Sequence, residues 1–220
     1  MKRALKVGAV SVVMAALWLA PACSTFTPPP GETEATSYQG VKLTPIAKQK
    51  NNDIKGTQYI DSATYRLTVD GVVANPLSLS YEDLQALPQE SRLITLQCVE
   101  GWSFTAKWTG PTLASIFDQA GLDPSVQTVI FRTADDSAGF TSLDYQYVRD
   151  QNVIIALRLN DITLPPERGF PFQVVAEGKF GYKWAKWVDR IELSAQHFEG
   201  YWEQYGYSNS ADINGPAFGP

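Results

Sequence analysis

Residues 93–102 read LITLQCVEGW, and they place Cys98 where an aliphatic run meets an acid, a glycine and a tryptophan. The chain's other cysteine is Cys23. A thiol at the end of a strand can be a small buried hydrophobe. As a thiolate it can be a metal ligand or a redox group. Position alone leaves both readings open. Other reactive groups are sparse. The single histidine, His197, lies among aromatics in AQHFEG. One histidine cannot build the usual zinc sites without several cysteines or carboxylates, so His197 is read as structural. No phosphate-loop or dinucleotide glycine motif is present, no G-x-S-x-G elbow, and no C-x-x-C-H for covalent haem. Catalysis must lean on Cys98, on carboxylates or tyrosines, or on a borrowed cofactor.

The elements that could position these groups come next. A chain of 220 residues fits one domain plus flanks. Its 44% hydrophobic and 12% aromatic content is ample for a packed core. Formal net charge is −5, and no clustered basic face marks a nucleic-acid partner. Strand patterns run over Tyr65–Val69, over the segment leading to Cys98, and over 126–131, 153–159, 170–175 and 186–193. Asp70-Gly71 predicts a hairpin turn. Ser80 predicts the cap of a short helix in SYEDLQALP. A second helix is expected from Pro111, with Leu113, Ile116, Phe117 and Ala120 on one face and Gly121 as its C-cap. Ser142 is a candidate cap for a helical turn through Val148, Asn160-Asp161 is a turn, and GYWEQYGYSN is an aromatic rim. Strands outnumber helices, which predicts one mixed, β-rich α+β domain.

The N-terminus reads as an export signal over residues 1–22. Lys2, Arg3 and Lys6 precede a short apolar run, and Ala20-Pro21-Ala22 is a small-residue cleavage site. The run is too short for a comfortable membrane span. Cys23 at the cleavage point suggests a lipid-anchored lipoprotein of the periplasm or cell envelope, attached to the membrane only through that anchor. Cys98 would then have no partner in the chain, unusual for an exported protein. Residues 23–45 read as a polar, Pro-rich tether, 46–208 as the domain and 209–220 as a flexible tail.

The motifs together resemble the sulfite oxidase family of molybdopterin-dependent oxidoreductases. TLQC at 95–98 is similar to the run in sulfite oxidases, and CVEGW is closer to the periplasmic methionine sulfoxide reductase branch. YRLTVDGVVANPLSLSYEDLQALP, KWTGPTLASIFDQAG, KFGYKWAKWVDRIEL and GYWEQYGYSN resemble further family segments in the same order, covering about residues 50–208. The resemblance implies a sulfite-oxidase-type fold, a molybdopterin cofactor, and Cys98 as catalytic thiolate on molybdenum. Soft thiolate suits a metal that already carries dithiolene sulfur. It also implies a cofactor-binding set of Asn51, Thr133, Trp184, Ala185 and Lys186, with Lys183 and Lys186 as cations for the pterin phosphate. Two positions depart from the family pattern. Where it runs His or Asn, then G-x-P-x-Arg, this chain has Arg168-Gly169-Phe170-Pro171-Phe172-Gln173. Arg168 is expected to supply the charge from the opposite end, with Gln173 beside it. Sulfite oxidases also carry an arginine shortly after the cysteine, where this chain has Ser103-Phe104-Thr105. A site without that cation should hold sulfite poorly and suit a neutral small-molecule substrate better.

Glu100, Asp135 and Asp136 are candidate pocket carboxylates, read first as solvated surface acids. With no haem motif in the chain, electrons are expected to pass through an external haem or quinol partner. Two other readings stand beside the molybdenum enzyme: a non-catalytic lipoprotein that keeps the fold as a binding module, and a thiol-redox protein using Cys98 alone.

Overall fold

The computed structural model describes residues 26–219, so the export signal and Cys23 lie outside the described residues. A small ribbon comes first, β1 (Ser37–Tyr38) against β2 (Val41–Lys42). Next is β3 (Leu67–Gly71), whose Leu67 and Val69 are buried. It pairs antiparallel with β4 (Leu77–Leu79), so the reversal occupies residues 72–76. Asp70-Gly71, expected as the turn, lies inside the strand. A side chain at Gly71 would meet the Leu193 carbonyl at 2.1 Å, so that position serves close approach between strands. Helix α1 (Tyr81–Ala86) starts at a capping box of Ser80 with Asp83, as SYED predicts.

β5 (Gln89–Gln97) and β6 (Ser103–Pro111) form a long antiparallel hairpin. β6 was not expected from the sequence, although Phe104, Ala106 and Trp108 alternate inward along it. Pro111 therefore ends a strand. Helix α2 (Leu113–Ala120) begins after Thr112, whose side chain accepts from the Ser115 amide, and it buries the expected face. β7 (Thr128–Thr133) pairs with β8 (Asp136–Asp144), and α3 (Tyr145–Asp150) is capped by Asp144, leaving Ser142 within the strand.

The apolar run at 153–159 divides between two sheets, as β9 (Ile154–Ala156) and β10 (Arg158–Leu159). It is buried on both faces, so inward-outward alternation does not specify which partner each residue takes. Asn160 and Asp161, both at positive φ, turn the chain into β11 (Ile162–Thr163). Only β12 (Gln173–Val175) is extended in the 170–175 stretch, because Pro171 cannot donate to a ladder. β13 (Val188–Ser194) then enters the centre of a five-stranded sheet of order β4-β3-β13-β7-β8, parallel to β3 and antiparallel to β7. A four-stranded sheet, β11-β10-β6-β5, and the β12–β9 pair complete the α+β fold.

Both flanks are more ordered than their composition suggests. In the Pro-rich segment, Glu32 accepts from the Thr163 amide at 2.5 Å and hydroxyl at 2.8 Å. Glu34 accepts from the Ile46 amide and the Asn160 side chain, and Leu43 is buried. These carboxylates satisfy donors around the β10–β11 turn, so the segment docks well before residue 46. Residues 209–219 return to the body through Phe180 N–H to Ala211 C=O and Ile213 N–H to Gly178 C=O, with Ala211 buried.

Beneath the β5–β6 hairpin, a column of rings runs from Trp102 through Phe104 and Trp108 to Trp184, with centroid spacings of 6.4, 5.9 and 5.3 Å. Trp108 is fully buried and donates to the Ile94 carbonyl at 3.2 Å. Truncating it leaves a large void and removes the indole's bond to that carbonyl, so Trp108→Ala is expected to cost about 4 kcal/mol in urea unfolding. Trp108→Phe should cost clearly less. A loss below about 1 kcal/mol for the alanine variant would show that the ring column does not carry the core.

Candidate active site

Cys98 sits in the loop joining β5 to β6. Its N–H donates to the Trp102 carbonyl at 2.9 Å, its C=O accepts from the Gly101 amide at 3.0 Å, and Gly101 has φ 83°. This is a three-residue hairpin loop with glycine in the left-handed position. The sequence V-E-G supplies it, and the loop aims the backbone N–H groups of Glu100 and Val99 toward the thiol. Cys98 is half-buried, and burial raises its pKa; those two amides oppose the rise by favouring the thiolate. Glu100 is exposed at the loop tip, accepts from the Trp102 indole at 2.9 Å, and is held below the usual carboxylate range mainly by that bond.

The thiol opens on a cleft of about 820 Å³, its open mouth included. Five chain segments meet there: 51–54, 96–102, 135–140, 168–187 and 202–207. A side chain at Gly181 would meet Leu96 Cδ2 at 3.3 Å, the Gln97 carbonyl at 3.5 Å and the Cys98 Cα at 3.9 Å, so glycine lets this segment lie close to the thiol loop. Of the residues singled out in the sequence, Asn51, Cys98, Glu100, Asp135, Arg168, Gln173, Trp184 and Lys186 line the cleft.

Two cations lie side by side at its base. Gly169 takes φ 99°, and a side chain there would come within 2.9 Å of the Lys186 Cβ, so glycine permits the approach. The Lys186 ammonium donates to Asn51 Oδ1 at 2.9 Å and to the Asn52 carbonyl at 2.7 Å, and it stands 4.2 Å from the Trp187 ring centroid. Arg168 is 4% exposed, donates to the Gln49 and Lys50 carbonyls, and stacks over Phe104 at 4.8 Å. Among the described residues neither cation has a carboxylate within ion-pair distance. Burial is the main cause that pushes Lys186 down to about 7 and Arg168 down to about 10. Gln173 donates from Nε2 to the Trp184 carbonyl at 3.2 Å, while its Oε1 is buried without a partner.

Three predicted residues are placed elsewhere. The Lys183 ammonium is taken by Glu203, both side chains being 1% exposed, so this lysine does not face the cleft as a second phosphate cation. Ala185 is buried, and its carbonyl accepts from Val174. Thr133 lies beneath the cleft and donates to Asp135 Oδ1 at 2.7 Å. Asp135 itself lines the cleft and is 6% exposed, against the expectation of a solvated acid. The side chain of Asp136 lies outside the described residues. His197 is exposed and away from the cleft.

Sequence reasoning missed Trp187, Trp202 and Tyr207 as lining residues. Trp187 holds φ 53° at the irregularity where β13 begins, an uncommon conformation for an aromatic residue and of the kind concentrated at functional sites. Its only sequence signal was the repeated tryptophan in KWAKW.

No group of three or more His, Cys, Asp or Glu could hold a metal among the described residues. A metal here would need ligands from a bound group, with one thiolate from the chain. The chain suits such a group if it is anionic: it would charge-balance Arg168 and Lys186 and could give the Gln173 oxygen a donor. The residues present fit a phosphate-bearing pterin.

Comparisons with known proteins agree. The model of the family described as oxidoreductase molybdopterin binding domain matches residues 54–202. The chain is 33% identical over 149 residues to a putative protein-methionine-sulfoxide reductase subunit, YedZ1, of Azospira oryzae, covering 68% of this chain and 56% of that protein. It is 27% identical over 201 residues to the protein-methionine-sulfoxide reductase catalytic subunit MsrP of Campylobacter jejuni, covering 83% and 67%. It is 30% identical over 155 residues to an uncharacterized oxidoreductase, YuiH, of Bacillus subtilis, covering 70% and 77%. The chain thus spans little more than half of the first of these relatives. Among solved structures, the sulfane dehydrogenase SoxCD from Paracoccus pantotrophus shares the fold, with TM-score 0.66 and 24% identity over 70% of this chain and 44% of that one.

Lys186 generates a pH signature in the cofactor-free protein. Its ammonium persists to about 10.5 in the unfolded chain and is lost near 7 in the folded one. Between those values the unfolded chain binds more protons, so stability rises with pH across the window. Relative to Lys186→Met, the wild type should gain on the order of 3–4 kcal/mol between pH 7 and 10, at about 1.36 kcal/mol per unit. Urea unfolding at both pH values measures it, and parallel profiles would refute the buried, anion-starved lysine.

Proposed function

Because this chain belongs to the oxidoreductase molybdopterin-binding domain family, we propose that it is a cell-envelope molybdenum enzyme with the Cys98 thiolate on the metal, acting on a small neutral oxygen-bearing substrate. Membership makes it a molybdopterin-dependent oxidoreductase. The observation that carries the finer reading is the convergence on one cleft of the Cys98 thiol, the unbalanced Arg168–Lys186 pair and the partnerless Gln173 oxygen. Cys98 would ligate the metal, helped by the Glu100 and Val99 amides that favour its charged form. Arg168, Lys186 and Asn51 would hold the pterin phosphate, with Gln173 and the Trp184 backbone beside the ring system. Thr133 would act through Asp135, and Lys183 through Glu203. When bound, the cofactor supplies the two-electron change that oxygen-atom transfer requires.

The substrate reading rests on charge. The residues after the cysteine carry no cation, and Arg168 and Lys186 are committed to the 49–52 segment and to the cofactor. A sulfoxide fits this cleft better than sulfite, in keeping with the names of two relatives. In the reductive direction one S–O bond breaks, two protons and two electrons are taken up, and water leaves. The electrons come from an external haem or quinol protein. The export signal at 1–22 and a lipid anchor at Cys23 would hold the domain at the envelope.

Metal analysis of holoprotein from a cofactor-competent host tests the centre. Wild type should carry about one molybdenum per chain, and Cys98→Ser should lose at least about 100-fold of activity and change the visible absorption of the metal centre while unfolding within about 1 kcal/mol of wild type. Methionine sulfoxide should be reduced and sulfite left unoxidised. A metal-free wild type, or a Cys98→Ser variant that keeps both wild-type activity and the wild-type absorption of the metal centre, would rule the assignment out.

A further inference from the structure

The cleft has two chemically different sides. One is cationic, with Arg168 and Lys186 tied to the carbonyls of residues 49–52. The other is aromatic and comes from the C-terminal segment. Trp202 and Tyr207 have ring centroids 5.4 Å apart, and Tyr207 meets Tyr182 edge-on at 5.2 Å. Tyr182 in turn donates to the Ser208 carbonyl at 2.7 Å, tying that wall to the cofactor-facing segment.

Behind the wall lies the buried ion pair of Lys183 and Glu203. The ammonium also donates to the Ser142 carbonyl at 3.0 Å and to Asn209 Oδ1 at 3.1 Å. Glu203 Oε1 accepts from the Thr141 hydroxyl at 2.6 Å, while Oε2 is buried without a partner. Lys183 directly precedes Trp184, and Glu203 directly follows Trp202. The pair therefore joins the segment carrying Lys186 to the segment carrying the aromatic wall. Buried pairs seldom exceed an apolar replacement in stability, and their best-attested use is to fix registry. Only one placement of residues 200–208 puts the carboxylate on the ammonium.

We propose that Trp202 and Tyr207 form the substrate-facing wall that determines specificity, with Lys183–Glu203 as the positioning pair that sets it, selecting neutral sulfoxides that carry an apolar arm. The proposal rests on the cofactor reading above. Ring faces supply apolar area and favourable contacts to sulfur. An oxyanion finds no free cation on that wall, because Glu203 already neutralises Lys183.

Full-length holoprotein is compared with Trp202→Ala, Tyr207→Ala, Glu203→Gln and the double variant Lys183→Met/Glu203→Leu, with the exposed Tyr205→Ala as control. Molybdenum content, KM and kcat are measured with N-acetylmethionine sulfoxide and with the smaller dimethyl sulfoxide. The two wall variants should keep their molybdenum and a kcat within about two-fold, while KM for N-acetylmethionine sulfoxide rises up to about 10-fold. KM for dimethyl sulfoxide should rise less. The ion-pair variants should shift KM in the same direction, with partial rescue by Glu203→Asp, and the control should not move. Unchanged KM in both wall variants with molybdenum retained would overturn the proposal. Quenching of tryptophan fluorescence by N-acetylmethionine sulfoxide, weakened in Trp202→Phe, reads the wall without turnover. A metal-free wild type would then overturn the cofactor reading, and absent quenching would overturn the wall.

Discussion

Arg168 and Lys186 lie next to each other beneath the cleft, and among the described residues neither has a carboxylate close enough to pair with. Like charges in a region of low dielectric repel strongly, and neutral carbonyls compensate only part of the cost of burying them. The fold nevertheless holds both cations in place. Gly169 removes the side chain that would separate them, and the 49–52 segment turns its carbonyls inward to meet them. The strained Trp187 lays its ring beneath the Lys186 ammonium. An anion held in the cleft would relieve this stress, and Gln173, Asn51 and Trp184 line the same cleft.

The frame that resists the stress is aromatic and local. The β5–β6 hairpin brings Trp102, Phe104 and Trp108 into line, and Trp184 closes the column from a segment far along the chain. Arg168 rests on the same Phe104. Core packing and site electrostatics therefore share residues, and a change to the column reaches the cation pair through one ring. The Cys98 loop stands at the end of this hairpin, where two well-paired strands leave its three loop residues little freedom. On the other side of the cleft, Lys183 and Glu203 do for the C-terminal segment what the hairpin does for the thiol: each fixes a flexible piece of chain at one place.

Local signals in the sequence were reliable where neighbours in the chain decide the outcome. Ser80 with Asp83, the buried face of α2 and its Gly121 cap, and the Asn160-Asp161 turn all formed where their residues indicated. Errors fell where distant partners decide. Asp70-Gly71 has turn chemistry, yet Leu193 draws it into a strand pair. The 153–159 run is apolar throughout, so nothing in it records that the chain changes sheets near Leu157. The Pro-rich N-terminal segment reads as solvated until Thr163 and Asn160 are seen to need its carboxylates.

The site divides the same way. By itself, the sequence determined the chemistry available: one candidate thiolate followed by a V-E-G turn, a family's cofactor motifs in order, and the absence of the sulfite-holding arginine. These are properties of residue type and short spacing. Only the tertiary structure decided which charges face the cleft and which are consumed internally. Lys183 and Lys186 are three residues apart on one loop and equivalent in composition, but Glu203, twenty residues on, claims the first and leaves the second open to the cleft. Whether a buried charge is available depends on who its distant partners are, and that information lies in no local window of the chain.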